Sequence, residues 1–350
     1  MTKLTLALLV VVPACSSMST SDDAGDDAPP FTNGVSTLSG AADAGYVDGA
    51  RGKARFANPV NVAYGPGGRL YVADFDNNKI RVVDADDGNT DTLISQPGFQ
   101  KPFAMAFASD GTLYVTTDND QAGGHNNMTG SVWRVDVGAG EATIVANAIG
   151  RPRGIVVLRD GRLAVSDYMH HVIRLVNPST GQVTPLAGTW DVAGAADGLG
   201  GVAKFSTPYG MAMDASGQLV VADYDNHRLR IVSLDGSVAT YAGMGSPGFA
   251  DGAMATAQFN HPQGVAADSS GNLYVTDLGN YRVRMISGDT VQTIAGNGNG
   301  GYVDDDDRLA SELYGLEGLS VTGDGAMVFA ADGGRGEAVP YNRIRSIKMK

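Results

Sequence analysis

One cysteine, Cys15, stands in the whole chain of 350 residues, so no intrachain disulfide can form and the fold must hold without a covalent staple. Glutamate is scarce: of 38 acidic residues only Glu141, Glu312, Glu317 and Glu337 are Glu. The acidity is aspartate, whose short side chain bonds nearby backbone in turns, so most of it is read as architecture. With only 25 Lys and Arg the net charge is −13, which excludes the basic surface that nucleic-acid binding requires. The apolar run Leu4–Val12 is too short to span a membrane as a helix. Gly-x-Ser-x-Gly, a phosphate-binding loop and paired catalytic carboxylates at a recognisable spacing are all missing, which removes the usual sequence grounds for several enzyme classes.

Glycine, by contrast, is abundant at 48 residues, about twice the usual share, as suits a chain dominated by tight turns. The stretch Thr256–Gly296 shows the plan. It holds four short apolar runs, Val265–Ala267, Leu273–Thr276, Val283–Ile286 and Val291–Ala295, separated by clusters of Asp, Ser, Gly and Asn. Such runs predict a meander of four strands. The second run is apolar or Thr on both alternating faces, so neighbouring copies must cover both sides. Aligned on Pro59, Pro102, Pro152, Pro208, Pro262 and Leu316, and on Asp74, Asp118, Asp167, Asp223, Asp277 and Asp332, the pattern recurs six times at spacings of 43 to 56 residues. Four strands per unit at that period predict an all-β fold, a six-bladed β-propeller of four-stranded antiparallel blades. The sixth copy has three strands before the chain stops at Lys350. Val35–Gly40 matches Val291–Gly296 and Val238–Gly243, so the N-terminal strand is expected to complete the last blade and close the ring.

Ahead of the ring, Lys3 followed by Leu4–Val12 reads as an export signal. The run ends at Val12-Pro-Ala-Cys15, which resembles the lipobox of bacterial lipoproteins, although Pro13 departs from the small or hydroxyl residue expected there. The resemblance implies a lipid on Cys15 and a bacterial cell-envelope location, on the periplasmic or surface side, with secretion as the outcome if acylation fails. The division expected is 1–15 signal peptide and lipobox, 16–33 disordered acidic tether, and 34–350 propeller.

The pattern Phe-x-x-Pro-x-Gly, then Leu-Tyr-Val-x-Asp-x-x-Asn-x-x-Val-Arg, then Thr-x-Ala-Gly resembles the NHL repeat, with Asp223-Tyr-Asp-Asn-His-Arg-Leu-Arg230 the nearest single match. The resemblance runs from Gly34 to Lys350 and is strongest in copies one, four and five. Copy three has His170 in place of the Asn, and copy two carries the insertion Asn119–Gly130. Each repeat Asp is expected to accept backbone amides of the turn that follows it, helped by Asn77, Asn226 and Asn280. Arg81, Arg174, Arg230, Arg284 and Arg345, with Arg134 in the second copy, are expected to neutralise those Asp residues or adjacent blades, because a sandwiched charge must be paired.

Strand alternation puts the inter-blade linkers and the loops between second and third strands on one face, and loops on a rigid scaffold concentrate function. At the centre of that face the residues flanking the axial Pro positions, Asn61, Arg153, Tyr209, His261, Gln263 and Glu317, are the candidate binding site. A salt bridge between Arg153 and Glu317 is the structural alternative. Only His261 is placed for the three-His zinc set of amidating lyases with a related propeller. Lactonases of similar shape hold calcium with Glu, Asn and Asp, for which Glu317 and Asn61 are candidates, and Asp304–Asp307 is a possible weak calcium site. No cofactor is otherwise expected and the metal question stays open. The residues favour a binding or scaffold module, monomeric, membrane-anchored by lipid and directed to a protein or glycan of the envelope. The alternative is a calcium-dependent propeller lactonase or lyase.

Overall fold

The computed structural model describes residues 31–334 and 341–350; Cys15, the segment 1–15 and all but the last three residues of 16–33 lie outside the described residues. Six antiparallel sheets follow one another around an axis. Blade 1 comprises Pro59–Gly65, Arg69–Asp74, Lys79–Asp84 and Thr90–Ile94; blade 2 Pro102–Phe107, Leu113–Thr117, Ser131–Asp136 and Glu141–Ala146; blade 3 Pro152–Val157, Leu163–Asp167, Val172–Val176 and Val183–Gly188. Blade 4 runs Pro208–Met213, Leu219–Asp223, Arg228–Val232 and Ser237–Ala242, and blade 5 Pro262–Ala267, Leu273–Asp277, Arg282–Ser287 and Thr290–Ala295. Blades 4 and 5 each gain a two-residue fifth strand, Gly198–Leu199 and Gly252–Ala253, donated by the linker that precedes them. Blade 6 is Leu316–Val321, Met327–Asp332 and Asn342–Lys348, with Val35–Ala41 paired antiparallel as its outer strand.

The second strands are buried on both faces because each is sandwiched between neighbouring blades: every residue of Leu219–Asp223 and of Leu273–Asp277 is buried. First strands crowd the axis. A Cβ on Gly210 would stand 2.5 Å from the Gln263 carbonyl oxygen, so glycine there is a packing requirement.

The recurring polar residues form one buried unit. Arg81, Arg230, Arg284 and Arg345 reach Asp74, Asp223, Asp277 and Asp332 at 2.7–2.9 Å, all with fully buried guanidiniums. Their other nitrogen meets Asp48, Asp197, Asp251 or Asp304 of the preceding linker at 2.5–2.7 Å. Asn77, Asn226 and Asn280 complete the unit by donating at 2.8 Å to the same carboxylates. The amides these carboxylates accept differ from the expectation. They belong to Ala57, Ser206, Asn260 and Gly315, in the loop leading into the first strand about 17 residues earlier, not to the turn that follows. Asp304, read as a possible calcium ligand, is thus a scaffold residue, bonded also to the Thr37 amide.

Two blades depart. In blade 2 Pro102 pairs with Thr117, the position that Pro59 and Pro262 pair with Asp74 and Asp277, so Thr117 and not Asp118 occupies the repeat site. Trp133, not Arg134, takes the Arg position and donates its indole N–H to Thr117 at 2.9 Å. A neutral pair therefore replaces the ion pair. In blade 3 His170 bonds Asp167 at 2.6 Å, and Arg174 is not bonded to it. The Arg174 guanidinium instead stands 5.4 Å from the Trp190 ring centre.

Candidate functional site

The residue after each axial Pro or Leu points into the mouth of the ring on the linker face. In blade order these six are Val60, Phe103, Arg153, Tyr209, Gln263 and Glu317. They line a cavity of about 280 Å³ together with Phe75, Tyr224 and Leu278, each the first residue past the end of a second strand. Below it the axial channel, about 360 Å³, is lined by the first strands of all six blades, Asn61 among them, and shares Arg153, Tyr209, Gln263 and Glu317 with the mouth. Five of the six candidates thus come together, Asn61 one residue deeper than the others. His261 does not line the cavity. It adopts a positive φ of 53°, its amide donates to His227 Nδ1 at 3.2 Å, and its ring packs 4.5 Å behind Tyr224. Val60, Phe103, Phe75, Tyr224 and Leu278 escaped the sequence reading. The pattern that could have found them is positional: each is the residue after the repeat Pro or the repeat Asp.

Arg153 does not bridge to Glu317. Its guanidinium embraces both oxygens of Asp118, with Nη2 at 3.0 Å from Oδ2, and Arg151 meets the same carboxylate at 2.8 Å. Freed from the repeat unit by the one-residue shift in blade 2, Asp118 is fully buried and serves as the counterion of the mouth. Burial opposes its ionisation, yet Arg153 and Arg151 together hold its carboxyl below the usual value. In the repeat units burial wins: Asp74 is pushed up to about 6 against its bonds to Asn77, the Ala57 amide and Arg81. Burial likewise works against the Arg153 charge, and Asp118 more than restores it. The flat faces of this guanidinium lie 4.1 Å from the Phe103 ring centre and 4.4 Å from that of Tyr168.

Across the ring, Gln263 is 4% exposed and its Nε2 donates to Glu317 Oε2 at 3.3 Å. Its Oε1 has no hydrogen-bond partner among the described residues. Tyr209 sits between them, 4.9 Å from Tyr224 and 5.5 Å from Tyr168, with its hydroxyl pushed up by burial and hence neutral across the physiological range.

These donors do not fit calcium, which takes six to eight oxygens. The carboxylate nearest Arg153 is committed to two guanidiniums, which leaves Glu317, Asn61 and Gln263 Oε1 as the side-chain carboxylate and amide oxygens of the described residues lining this channel, short of that number. Among the described residues no three His, Cys, Asp or Glu side chains gather into a metal-sized cluster.

Residues 56–83 and 259–284, the first and fifth repeat units, match the NHL repeat family. This chain is a six-bladed β-propeller that carries NHL repeats. Residues 105–249 also match the SMP-30/gluconolactonase/LRE-like region. Protein SUPPRESSOR OF QUENCHING 1, chloroplastic, of Arabidopsis thaliana is 27% identical over 281 residues, covering 71% of this chain, which spans only 27% of that protein's length. An auxiliary nutrient binding protein of Bacteroides thetaiotaomicron shares the fold with a TM-score of 0.68 at 18% identity, over 89% of this chain and 75% of its own. A gluconolactonase of Xanthomonas campestris does so with a TM-score of 0.59 at 14% identity, over 90% of this chain and 89% of its own.

Proposed function

We propose that this NHL propeller is a binding module that holds a protein or glycan partner in its axial mouth, exported to the cell envelope and anchored there by lipid on Cys15. The observation that carries the reading is the ring of Val60, Phe103, Arg153, Tyr209, Gln263 and Glu317. Most scaffold positions around it repeat from blade to blade, while this one holds six different side chains, including a buried acceptor with no partner. Packing alone gives no reason for such variety at the axis. The nutrient-binding relative in structure supports binding as the role. A lactonase or lyase is the second reading, favoured by the match over 105–249, but among the described residues of this mouth no donor set fits its calcium.

The test is capture of envelope proteins and polysaccharides on the immobilised protein, with and without chelator. Wild type is expected to retain a partner that Tyr209→Ala and Gln263→Ala lose, chelator having no effect. Retention unchanged in both variants would overturn the reading, and retention abolished by chelator would favour the lactonase.

A further inference from the structure

Resting on the reading of the mouth as the site, we propose that its ligand is a neutral, ring-shaped polyol, a single sugar residue, either free or at the end of a glycan.

Three observations converge on this chemistry. The first is the open acceptor. Gln263 Nε2 faces the Glu317 carboxylate, which only accepts, so the amide orientation is fixed and Oε1 is the atom left without a partner. A buried amide oxygen kept without a donor is costly, so a ligand that brings a hydroxyl or N–H to it is favoured. The second is charge. Arg153 is committed to Asp118 through both terminal nitrogens, so among the described residues that line the mouth no guanidinium is left for an anion. The same guanidinium covers the faces of Phe103 and Tyr168, which closes those two rings to a cation, and the Glu317 carboxylate is already met by Gln263 Nε2. The third is shape. Phe75, Phe103, Tyr209 and Tyr224 line one continuous aromatic wall of neighbouring rings. A sugar ring answers all three, since it lays a C–H face on an aromatic ring and turns its hydroxyl edge to Gln263, Glu317 and the Tyr209 hydroxyl. The mouth, at about 280 Å³, lies just under the roughly 300–1,000 Å³ that drug-sized ligands occupy, so it admits one ring and not a long oligomer.

The probes are the methyl glycosides of glucose, galactose and mannose, disaccharides ending in the same sugars, and the charged analogues glucuronate and glucosamine. Saturation-transfer NMR and calorimetric titration are run on the full chain. At least one neutral glycoside is expected to bind, with saturation strongest at its C–H face. Gln263→Leu is expected to weaken it about tenfold, as loss of one well-placed hydrogen bond does, and Tyr209→Phe severalfold, with melting temperatures unchanged. Equal binding of glycoside and disaccharide points to free sugar, and tighter binding of the disaccharide to a glycan end. The proposal is overturned if no neutral probe binds at tens of millimolar, if a charged analogue binds more tightly than its parent, or if both variants bind as wild type does. Loss of envelope capture in mouth variants without any sugar binding would sink the sugar and leave the binding module standing. Sugar binding at the mouth without envelope capture would do the reverse.

Discussion

At the scale of single residues, the four-part unit of linker Asp, third-strand Arg, second-strand Asp and turn Asn ties each blade to the loop that enters it. Arg284 is fully buried between Asp277 and Asp251. Its truncation leaves a buried carboxylate uncompensated, at a cost of about 3–5 kcal/mol. Arg284→Ala should therefore lower the denaturant midpoint sharply while Tyr209→Phe hardly moves it, as urea titration of both will show. Arg153→Ala is expected to fall between the two, because Arg151 still meets Asp118 at 2.8 Å. The residue types of this unit were legible in the sequence, since they recur, but the amides they hold were not, lying some 17 residues upstream. The slip at Asp118 has a similar cause. An Asp beside the true position matched by type, and only the pairing of Pro102 with Thr117 fixes the register. A second unit at this scale latches blade to blade: Asn78 Oδ1, His171 Nδ1 and His227 Nδ1 accept the amides of Lys101, Thr207 and His261 at 2.9–3.2 Å. His227 must be neutral at Nδ1 to accept, and burial, with His261 beside it, holds its pKa below the ordinary 6.5. The unfolded chain then binds the proton more readily than the folded one, so stability from this group is full above 6.5 and is lost as pH falls below it. His227→Asn keeps the latch, as Asn78 does, and should flatten melting temperature against pH between 7.5 and 5 relative to wild type. An unchanged slope would refute the assignment.

At the scale of elements, strand existence was readable because four apolar runs recur per unit, and the match of Val35–Gly40 to other fourth strands placed it in a blade. The two-residue strands Gly198–Leu199 and Gly252–Ala253 were not readable, since two residues carry no period, and only the linker Asp that meets the third-strand Arg brings them to the sheet edge. Val35–Ala41 contributes Val35 and Leu38, both fully buried, and covers the edge of Asn342–Lys348. Removing residues 1–41 exposes that edge and empties those two places in the core. A chain starting at residue 42 is expected to melt several degrees lower than one starting at residue 31, or to aggregate on heating, because an uncovered edge strand is a template for pairing. Coincident melting curves from differential scanning calorimetry would mean the strand adds nothing to the ring.

At the scale of the molecule, strand direction relates the mouth to the N-terminal segment. First strands begin and second strands end at the mouth, where Leu316 pairs with Asp332. Val35 pairs instead with Ile347, beside the start of the second strand at Met327, so the chain enters blade 6 from the face opposite the mouth. Thr32 and Asn33 are already bound there, to Asp305 and Asp306. Eighteen residues lie between Cys15 and Gly34, with a maximum reach of about 60 Å. If Cys15 carries lipid, as we propose from Val12-Pro-Ala-Cys15, the tether joins the ring on the face opposite the mouth, and that attachment leaves the mouth open to a soluble or wall-bound ligand. Fractionation of cells expressing wild type and Cys15→Ser tests both parts of this geometry. Wild type is expected in the membrane fraction and the variant in the soluble one, with equal affinity for the same mouth ligand whether the protein is anchored in vesicles or free. Two soluble proteins would remove the anchor. A membrane-bound wild type that loses the ligand on reconstitution would mean that the mouth faces the bilayer, and the strand directions would then have been read to the wrong end.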